Sequence, residues 1–291
     1  MRKVCVAAVQ MYCNRSREEN LEAAERFVRE AAKKGAQVIL LPELFETWYF
    51  CQEKNYDSYH LACTLEENPA VKKFAGMAAE LSVVLPISFY ERVGNTTYNT
   101  VAMIDADGTI LGIYRKTHIP DDHFYQEKFY FTPGNTGFKV WNTKYGCIGV
   151  GICWDQWFPE AARCMVLQGA EMLLYPTAIG SEPVLSYDSM PQWQRCMQGH
   201  SAANLVPVIA ANRIGKEEVK PFLENDYQSS SLSFYGSSFI TDWTGEIKEN
   251  GDRETESIVM YTLNLEEAEE RRRSWGVFRD RRPDQYHSLI K

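Results

Sequence analysis

The sequence lacks any long apolar segment, since none of its hydrophobic runs approaches the roughly 18 residues that a transmembrane helix needs. It also lacks the extended apolar region of a secretory signal peptide, because the first residues lead directly into a short strand-like segment, 4–9. These two absences favour a soluble protein, and a cytoplasmic location is the expectation that follows.

Positive charge is in deficit, with 31 lysines and arginines against 39 acidic residues and a net charge of −8. A nucleic-acid partner would require a basic surface, so this balance argues against one. The eight cysteines include no Cys-x-x-Cys pair, and the five histidines form no zinc-ligand pattern with them. We therefore expect reduced thiols and no bound metal. A glycine-rich phosphate loop is also missing, and no organic cofactor is expected.

The chain contains two stretches in which the predicted elements follow the same order of helix, strand, helix, strand and hairpin. The first comprises 20–34, 37–42, 69–80, 82–90 and a turn at 105–108, and the second comprises 159–168, 171–176, 191–204, 206–212 and a turn at 241–245. No linker rich in proline and serine separates them, which favours one domain, 1–262, built from two similar sheets. A chance similarity of αβ units is the alternative that the hydrophobic pattern leaves open.

The remaining residues, 263–291, differ in composition from this domain. An acidic segment, 266–270, precedes two arginine-rich segments, 271–273 and 279–282, that flank the apolar sequence Ser-Trp-Gly-Val-Phe. Because acidic and bulky apolar residues interrupt the basic run, a nucleic-acid arm is disfavoured. We expect an extended tail that packs on a neighbouring subunit.

Three ionisable residues follow apolar runs, at the positions where ligand sites of open α/β sheets form. Glu43 follows 38–42, Lys116 follows 110–115, and Cys153 follows 145–152. Cys153 stands where a strand turns into a helix that begins near Pro159, which is typical of a nucleophile elbow. Each residue also has a purely structural interpretation, as a solvated loop charge, an exposed strand end or a core cysteine. What favours a site is the chemistry that the three can perform together.

A cysteine thiol with its ordinary pKa of about 8.5 is mostly protonated at neutral pH, so it needs a base or a cation to act as a nucleophile. Glu43 could take the proton as Cys153 attacks, within an apolar sequence that includes Leu41 and Leu44. Lys116 and the backbone N–H of Trp154 could stabilise the oxyanion that forms. The sequence thus predicts a cysteine hydrolase that uses a carboxylate base instead of a histidine.

Three short blocks carry a family resemblance: Pro-Glu-Leu at 42–44, Arg-Lys-Thr-His-Ile-Pro at 115–120 and Gly-Ile-Cys-Trp-Asp at 151–155. They resemble the signature blocks of the nitrilase superfamily, the carbon–nitrogen hydrolases, and the similarity extends over nearly the whole chain. The resemblance implies an α/β fold, a four-layer αββα sandwich, that assembles as a homodimer or a larger homo-oligomer.

The same resemblance implies the catalytic roles. Glu43 would be the general base, Lys116 the oxyanion stabiliser and proton donor, and Cys153 the nucleophile of a covalent thioester-like intermediate. A second glutamate of the superfamily falls on Glu127, which would orient Lys116 and balance its charge. The alternative for Glu127 is a surface ion pair with Lys128.

Longer stretches, 125–140, 151–171, 175–183 and 274–286, resemble the branch that hydrolyses N-carbamoylputrescine to putrescine, ammonia and carbon dioxide in polyamine biosynthesis. The expected substrate is therefore a small cationic carbamoyl amine. Related enzymes for N-carbamoyl amino acids carry arginines just after the nucleophile, where a carboxylate is clamped. Gln156 and Trp157 occupy those positions here, so that clamp is missing.

Candidate substrate-binding residues follow from the same comparison. Glu182 would hold the ammonium group, and Tyr49, Tyr125 and Trp154 would form apolar walls around the carbon chain. His118 would either bind near the carbamoyl group or simply pack. Two alternatives remain: another amidase of the superfamily, acting on an ω-amide, carbamoyl-β-alanine or a nitrile, and a scaffold of the same fold without turnover. The intact glutamate, lysine and cysteine argue against the scaffold.

Overall fold

The computed structural model describes residues 2–181, 186–223, 227 and 229–290, which form two mixed six-stranded sheets and a small third sheet. The first sheet contains β1 (Lys3–Gln10), β2 (Val38–Leu40), β3 (Leu85–Val93), β4 (Thr96–Ile104), β5 (Ile110–Arg115) and β15 (Ser257–Asn264). The second contains β6 (Val140–Thr143), β7 (Gly146–Val150), β8 (Met172–Thr177), β10 (Val208–Asn212), β13 (Phe239–Thr241) and β14 (Ile247–Asn250). The small sheet contains β9 (Gly180–Ser181), β11 (Ile214–Val219) and β12 (Ser230–Tyr235).

Helices cover the outer face of each large sheet. They are α1 (Arg17–Lys33), α2 (Pro69–Leu81), α3 (Pro159–Leu167) and α4 (Met190–Asn204). A fifth helix, α5 (Leu265–Trp275), follows β15, and its Leu265 packs in the core between the two sheets. The apolar faces of α1 and α2, including Phe27 and Phe74, pack with the outer side chains of the first sheet. Those of α3 and α4, including Met165 and Trp193, pack with the outer side chains of the second. Among the described residues, no helix has the length and hydrophobicity to cross a membrane.

The two large sheets pack face to face across a shared core. Alternate residues of β1 and β2, including Val6 and Leu40, meet alternate residues of β7 and β8, including Val150 and Leu174. Because both faces of each sheet are buried, these strands are apolar without interruption, as the sequence pattern indicated. The layers are therefore helix, sheet, sheet and helix, and the predicted αββα class is confirmed.

The two sheets also share one strand topology. A parallel bridge between Val38 and Val84 joins β2 to the start of β3, so the first sheet has the order β15-β1-β2-β3-β4-β5. The second has the order β6-β7-β8-β10-β13-β14. In both, the second to fourth strands run parallel, and the outer pairs are antiparallel. The repeat seen in the sequence is thus a repeat of structure, with both hairpins where the turns were predicted.

Two observed element boundaries differ from the predicted ones by two or three residues. The first helix was predicted from 20 and begins at Arg17, because the Ser16 side chain caps it by accepting the Glu19 N–H at 3.2 Å. The strand before Cys153 ends at Val150, two residues earlier than predicted. As a result Cys153 opens a short 3₁₀ helix, Cys153–Trp157, that precedes α3.

Candidate active site

Cys153 lies at the turn that follows β7, and its backbone has a φ of +41°. A non-glycine residue in this left-handed region costs about 1–3 kcal/mol and persists only where its surroundings hold it. The side chain is only 4% exposed, yet it lines a cavity. Its thiol donates to the carbonyl of Ala178, beyond the end of β8, with Sγ and O 3.8 Å apart. The structure thus presents Cys153 at a strained turn, as predicted for a nucleophile elbow.

Glu43 lies two residues beyond Leu41 after β2, and its side chain is fully buried. Its Oε1 accepts hydrogen bonds from Asn99 Nδ2 at 2.7 Å and from Lys116 Nζ at 2.8 Å. Its Oε2 is buried and has no hydrogen-bond partner among the described residues. One oxygen is therefore anchored and the other is available to accept a proton.

Lys116 follows β5 and bridges two carboxylates. Its Nζ donates to Glu43 and, at 2.6 Å, to Oε2 of Glu127, and all three side chains are fully buried. The Tyr49 hydroxyl donates to the other oxygen of Glu127 at 2.6 Å. This geometry rules out the alternative of a surface pair between Glu127 and Lys128. It leaves one ammonium between two carboxylates, which is a partly compensated buried cluster.

The charge states of these groups follow from burial and from each other. Burial, followed by the Glu43 carboxylate, raises the pKa of the Cys153 thiol well above its usual range. Burial alone would lower the pKa of Lys116, but the Glu127 and Glu43 carboxylates together hold it well above its ordinary value. The resting site therefore holds a neutral thiol and a charged lysine, so Cys153 needs a base during its attack.

Burial, opposed by Lys116 and assisted by Glu43, raises the pKa of Glu127 to about 7. Tyr49 acts in the other direction, because its hydrogen bond favours the ionised carboxylate. The protonation of Glu127 thus depends on two neighbours that the structure fixes in place.

Arg213 binds the backbone at Glu43 and was not identified from the sequence. It is fully buried, and its Nη2 donates to the carbonyls of Glu43 and Leu44 at 2.8 and 3.1 Å. Its Nη1 donates to Thr47 O at 3.3 Å and pairs with Glu217 at 3.1 Å. Arg213 directly follows β10, so the rule that located the other residues at strand ends would also have found it.

The cavity next to Cys153 has a volume of about 500 Å³ and combines apolar side chains with two aspartates, a histidine and a lysine. It is lined by Ile119, Pro120, Asp121, Asp122, His123, Phe124, Tyr125, Lys128, Cys153, Trp154, Trp157, Ile179, Tyr187, Ser189 and Gln192. Two carboxylates in the lining offer partners for a cationic group. Tyr125 and Trp154 lie on the walls, as the sequence analysis expected.

Two other expected binding residues, Tyr49 and His118, are absent from the cavity lining. Tyr49 is fully buried, and its hydroxyl donates to Glu127, so its observed contact is with the buried cluster. His118 stacks on Phe158 at a ring distance of 3.6 Å, and its Nδ1 lies 2.7 Å from Oδ1 of Asp155. The structure therefore favours the packing alternative for His118. Both residues are held by bonds to buried carboxylates, a constraint that the sequence pattern does not reveal.

The residues just after the nucleophile differ from each other in exposure. Gln156 is fully buried, and its Oε1 accepts from Thr177 Oγ1 at 3.1 Å, whereas Trp157 lines the cavity. Of the two positions where the arginine clamp is missing, only 157 lines the cavity. Glu182, the expected ammonium partner, lies outside the described residues.

A family model described as carbon-nitrogen hydrolase matches residues 5–273, and the chain belongs to this family. Over 289 residues it is 54% identical to the N-carbamoylputrescine amidase of Oryza sativa subsp. japonica, a match that covers 99% of this chain and 95% of that protein. It is 52% identical over 292 residues to the citrullinase of Francisella tularensis, covering 100% and 99%. The crystal structure of a carbon-nitrogen hydrolase from Helicobacter pylori G27 superposes with a TM-score of 0.92 at 37% identity, covering 99% of both chains.

These similarities confirm the superfamily that the three sequence blocks indicated. The chain is a cysteine-dependent carbon–nitrogen hydrolase. The scaffold alternative is thereby disfavoured, since the fold, the family and the intact buried cluster agree. What distinguishes the individual relatives is their substrate, and for this chain that depends on the walls of the cavity.

Proposed function

We propose that this enzyme hydrolyses N-carbamoylputrescine to putrescine, ammonia and carbon dioxide. The observation that carries the proposal is the position of Cys153, which lies next to the Glu43–Lys116–Glu127 cluster and faces a cavity lined in part by two aspartates. The identity of 54% to the amidase from Oryza sativa supports the same substrate.

The chemistry begins at the neutral Cys153 thiol. Sγ attacks the ureido carbon while the free Oε2 of Glu43 takes the thiol proton. Lys116 and the backbone N–H of Trp154 stabilise the oxyanion, and the departing amine takes a proton as the C–N bond breaks. A water activated by Glu43 then attacks the thioester-like intermediate and releases the enzyme. The resulting carbamate decomposes to carbon dioxide and the second amine.

Two aspartates in the cavity lining support a substrate with a free ammonium group. Asp121 and Asp122 line the cavity. In the sequence, Glu182 follows Ser181 of β9 and stands three positions after the lining residue Ile179. Tyr125 and Trp154 offer apolar surface to a four-carbon chain between the ureido group and the ammonium. We propose Glu182 as the principal ammonium partner.

Citrulline is the second candidate. It carries the same ureido group, but its chain ends in both an ammonium and a carboxylate. The 52% identity to the Francisella tularensis citrullinase supports it, and Lys128 in the cavity lining could bind that carboxylate. The two substrates therefore differ by one charged group at the far end of one cavity.

The test is ammonia release from a panel of N-carbamoylputrescine, citrulline, N-carbamoyl-β-alanine and an ω-amide, with Cys153→Ala as the blank. We expect N-carbamoylputrescine to have the highest kcat/KM. A higher value for citrulline would replace the first proposal with the second, and a preference for N-carbamoyl-β-alanine would contradict both. Glu182→Gln should raise KM for N-carbamoylputrescine about tenfold, which corresponds to about 1.4 kcal/mol. Asp105→Asn, at the hairpin turn between β4 and β5, is a matched acidic control that should leave KM unchanged.

We also propose that the enzyme is a homo-oligomer in which the tail, 263–291, contacts a neighbouring subunit. The side chains of Trp275, Leu289 and Ile290 support this, because they are 64%, 63% and 85% exposed in a single chain. Exposed apolar surface of this kind often marks a protein–protein contact. Removal of 276–291 should reduce the number of subunits per particle, which light scattering measures. An unchanged number of subunits would contradict the role of the tail.

A further inference from the structure

Asp155 is a buried carboxylate that the proposed chemistry does not use. It lies two residues after Cys153 on the 3₁₀ helix, and its side chain is fully buried. A buried carboxylate is costly unless its lone pairs are satisfied. The contacts of Asp155 therefore indicate why the structure keeps a carboxyl group at this position.

One oxygen of Asp155 holds the turn that carries the nucleophile. Its Oδ2 accepts the backbone N–H of Ile152 at 3.0 Å, and the backbone N–H of Asp155 donates back to Ile152 O at 3.0 Å. These two bonds enclose Cys153, whose φ of +41° needs such support. The carboxylate thus stabilises the strained backbone of the nucleophile.

The same carboxylate also binds both flanks of Lys116. The Tyr114 hydroxyl, two residues before the lysine, donates to Oδ2 at 2.7 Å. His118, two residues after it, donates its backbone N–H to Oδ1 at 3.0 Å and places Nδ1 2.7 Å from the same oxygen. Asp155 therefore contacts the segments of both Cys153 and Lys116, which come from different sheets.

We propose that Asp155 is a positioning residue that fixes the nucleophile turn relative to the lysine segment. The inference rests on the proposed function, because it assumes that Cys153 and Lys116 act on one substrate carbon. Attack and oxyanion stabilisation both depend on sub-ångström placement, and a misplacement of about 1 Å can cost about 100-fold in rate. The proposal therefore concerns kcat more than substrate binding.

Asp155→Asn is a sharp test because an amide cannot replace this carboxylate. Of its four partners, the Ile152 and His118 backbone N–H groups donate only, and they bind opposite oxygens. Whichever way the amide is turned, its NH₂ group meets one of these N–H groups. The substitution therefore loosens either the nucleophile side or the lysine side while preserving the shape of the side chain.

Thr241→Val is the matched control. Thr241 is fully buried, and its Oγ1 accepts the backbone N–H of Val208 at 2.9 Å, at the end of β10 opposite to the site. Valine has the same shape but no acceptor, so this variant also leaves one buried backbone N–H unpaired. Any loss of activity due only to reduced stability should appear in both variants.

We expect Asp155→Asn to lower kcat about 100-fold and to change KM less than about threefold. Thr241→Val should keep kcat within about twofold, with both variants measured below their thermal midpoints. A kcat for Asp155→Asn within threefold of the original enzyme, or an equal loss in Thr241→Val, would overturn the proposal.

Tyr114→Phe provides a second measurement should Asp155→Asn fail to fold. It removes one donor to Asp155 and should lower kcat about threefold to tenfold, and an unchanged kcat would also overturn the proposal. Cys153→Ala separates the two levels of inference. Turnover by that variant would defeat the proposed function, whereas an inactive Cys153→Ala beside a fully active Asp155→Asn would defeat only the role of Asp155.

Discussion

The turns after β1 and β7 occupy the same place in the two halves of the molecule, yet only one of them carries the nucleophile. In the first half, Asn20 accepts the Asn14 N–H at 2.8 Å and donates back to Asn14 O at 2.9 Å. Ser16 then caps α1. The side chains of Asn14, Ser16 and Asn20 thus bond within the turn and the start of α1, so they serve to start a helix.

The turn after β7 is charged and depends on the opposite sheet. Asp155 binds Tyr114 and His118 of the first half, and Cys153 holds a positive φ that is absent from the turn after β1. In return, Arg213 of the second half binds the carbonyls of Glu43 and Leu44 of the first. The same strand topology therefore supports a turn that only starts a helix and a turn that carries the nucleophile. The second turn lies where charged side chains of each half bind the other half.

The strongest way to break this arrangement is to remove the base supplied by the first half. Glu43→Gln keeps the shape of the side chain but cannot take the thiol proton, and the pKa of Cys153 lies well above its usual range because of burial. We expect kcat to fall about 1,000-fold. Stopped-flow or steady-state ammonia release measures the loss.

Glu46→Gln is the control for that variant. Glu46 is a buried glutamate three residues further along, and its Oε1 accepts from Asn68 Nδ2 at 2.9 Å. Since it lies outside the proposed chemistry, its kcat should stay within about threefold. A comparable loss in both variants would indicate that the turn, and not the carboxylate of Glu43, limits the rate.

A smaller effect is expected when the hydrogen bonds from Arg213 of the second half to the Glu43 turn are weakened. Arg213→Lys keeps the charge beside Glu217 but cannot span the carbonyls of Glu43, Leu44 and Thr47 at once. We expect kcat to fall about 10- to 100-fold, since the Glu43 turn loses its fork of donors. Arg272→Lys, which alters a bond to Leu205 O, should remain within about twofold. Equal kcat values for the two variants would contradict the claim that Arg213 positions Glu43.

Tyr49→Phe should have a still smaller effect, visible mainly in the pH profile. Burial raises the pKa of Glu127 to about 7, so the carboxylate is ionised only as the pH rises through that value. Its contribution to the free energy of unfolding is therefore present at low pH and declines between about 4.5 and 7. The lost Tyr49 hydrogen bond should raise this pKa further and shift the acid limb of kcat upward. If the acid limb of kcat does not move in Tyr49→Phe, the titration of Glu127 does not determine that limb.

The sequence predicted the parts of this molecule that depend on local pattern. Apolar runs and turn residues located the repeated halves, and the residues that follow strands identified Glu43, Lys116 and Cys153. What it missed depends on contacts between distant segments. Tyr49 looked like a wall because aromatic composition does not reveal the bond to Glu127, and Arg213 went unnoticed although it also follows a strand. The long-range hydrogen bonds, not the element order, determine which side chains face the substrate.

Ser16→Ala gives the smallest expected effect and sharpens the comparison between the two turns. It removes the cap whose Oγ accepts the Glu19 N–H, so urea denaturation should show a loss of about 1 kcal/mol in the free energy of unfolding. Because, among the described residues, the Ser16 side chain bonds only to the first turn of α1 and contacts no residue of the site, kcat should remain unchanged. A fall in kcat beyond twofold would mean that this turn also supports the site, and that the two halves are less specialised than their hydrogen bonds indicate.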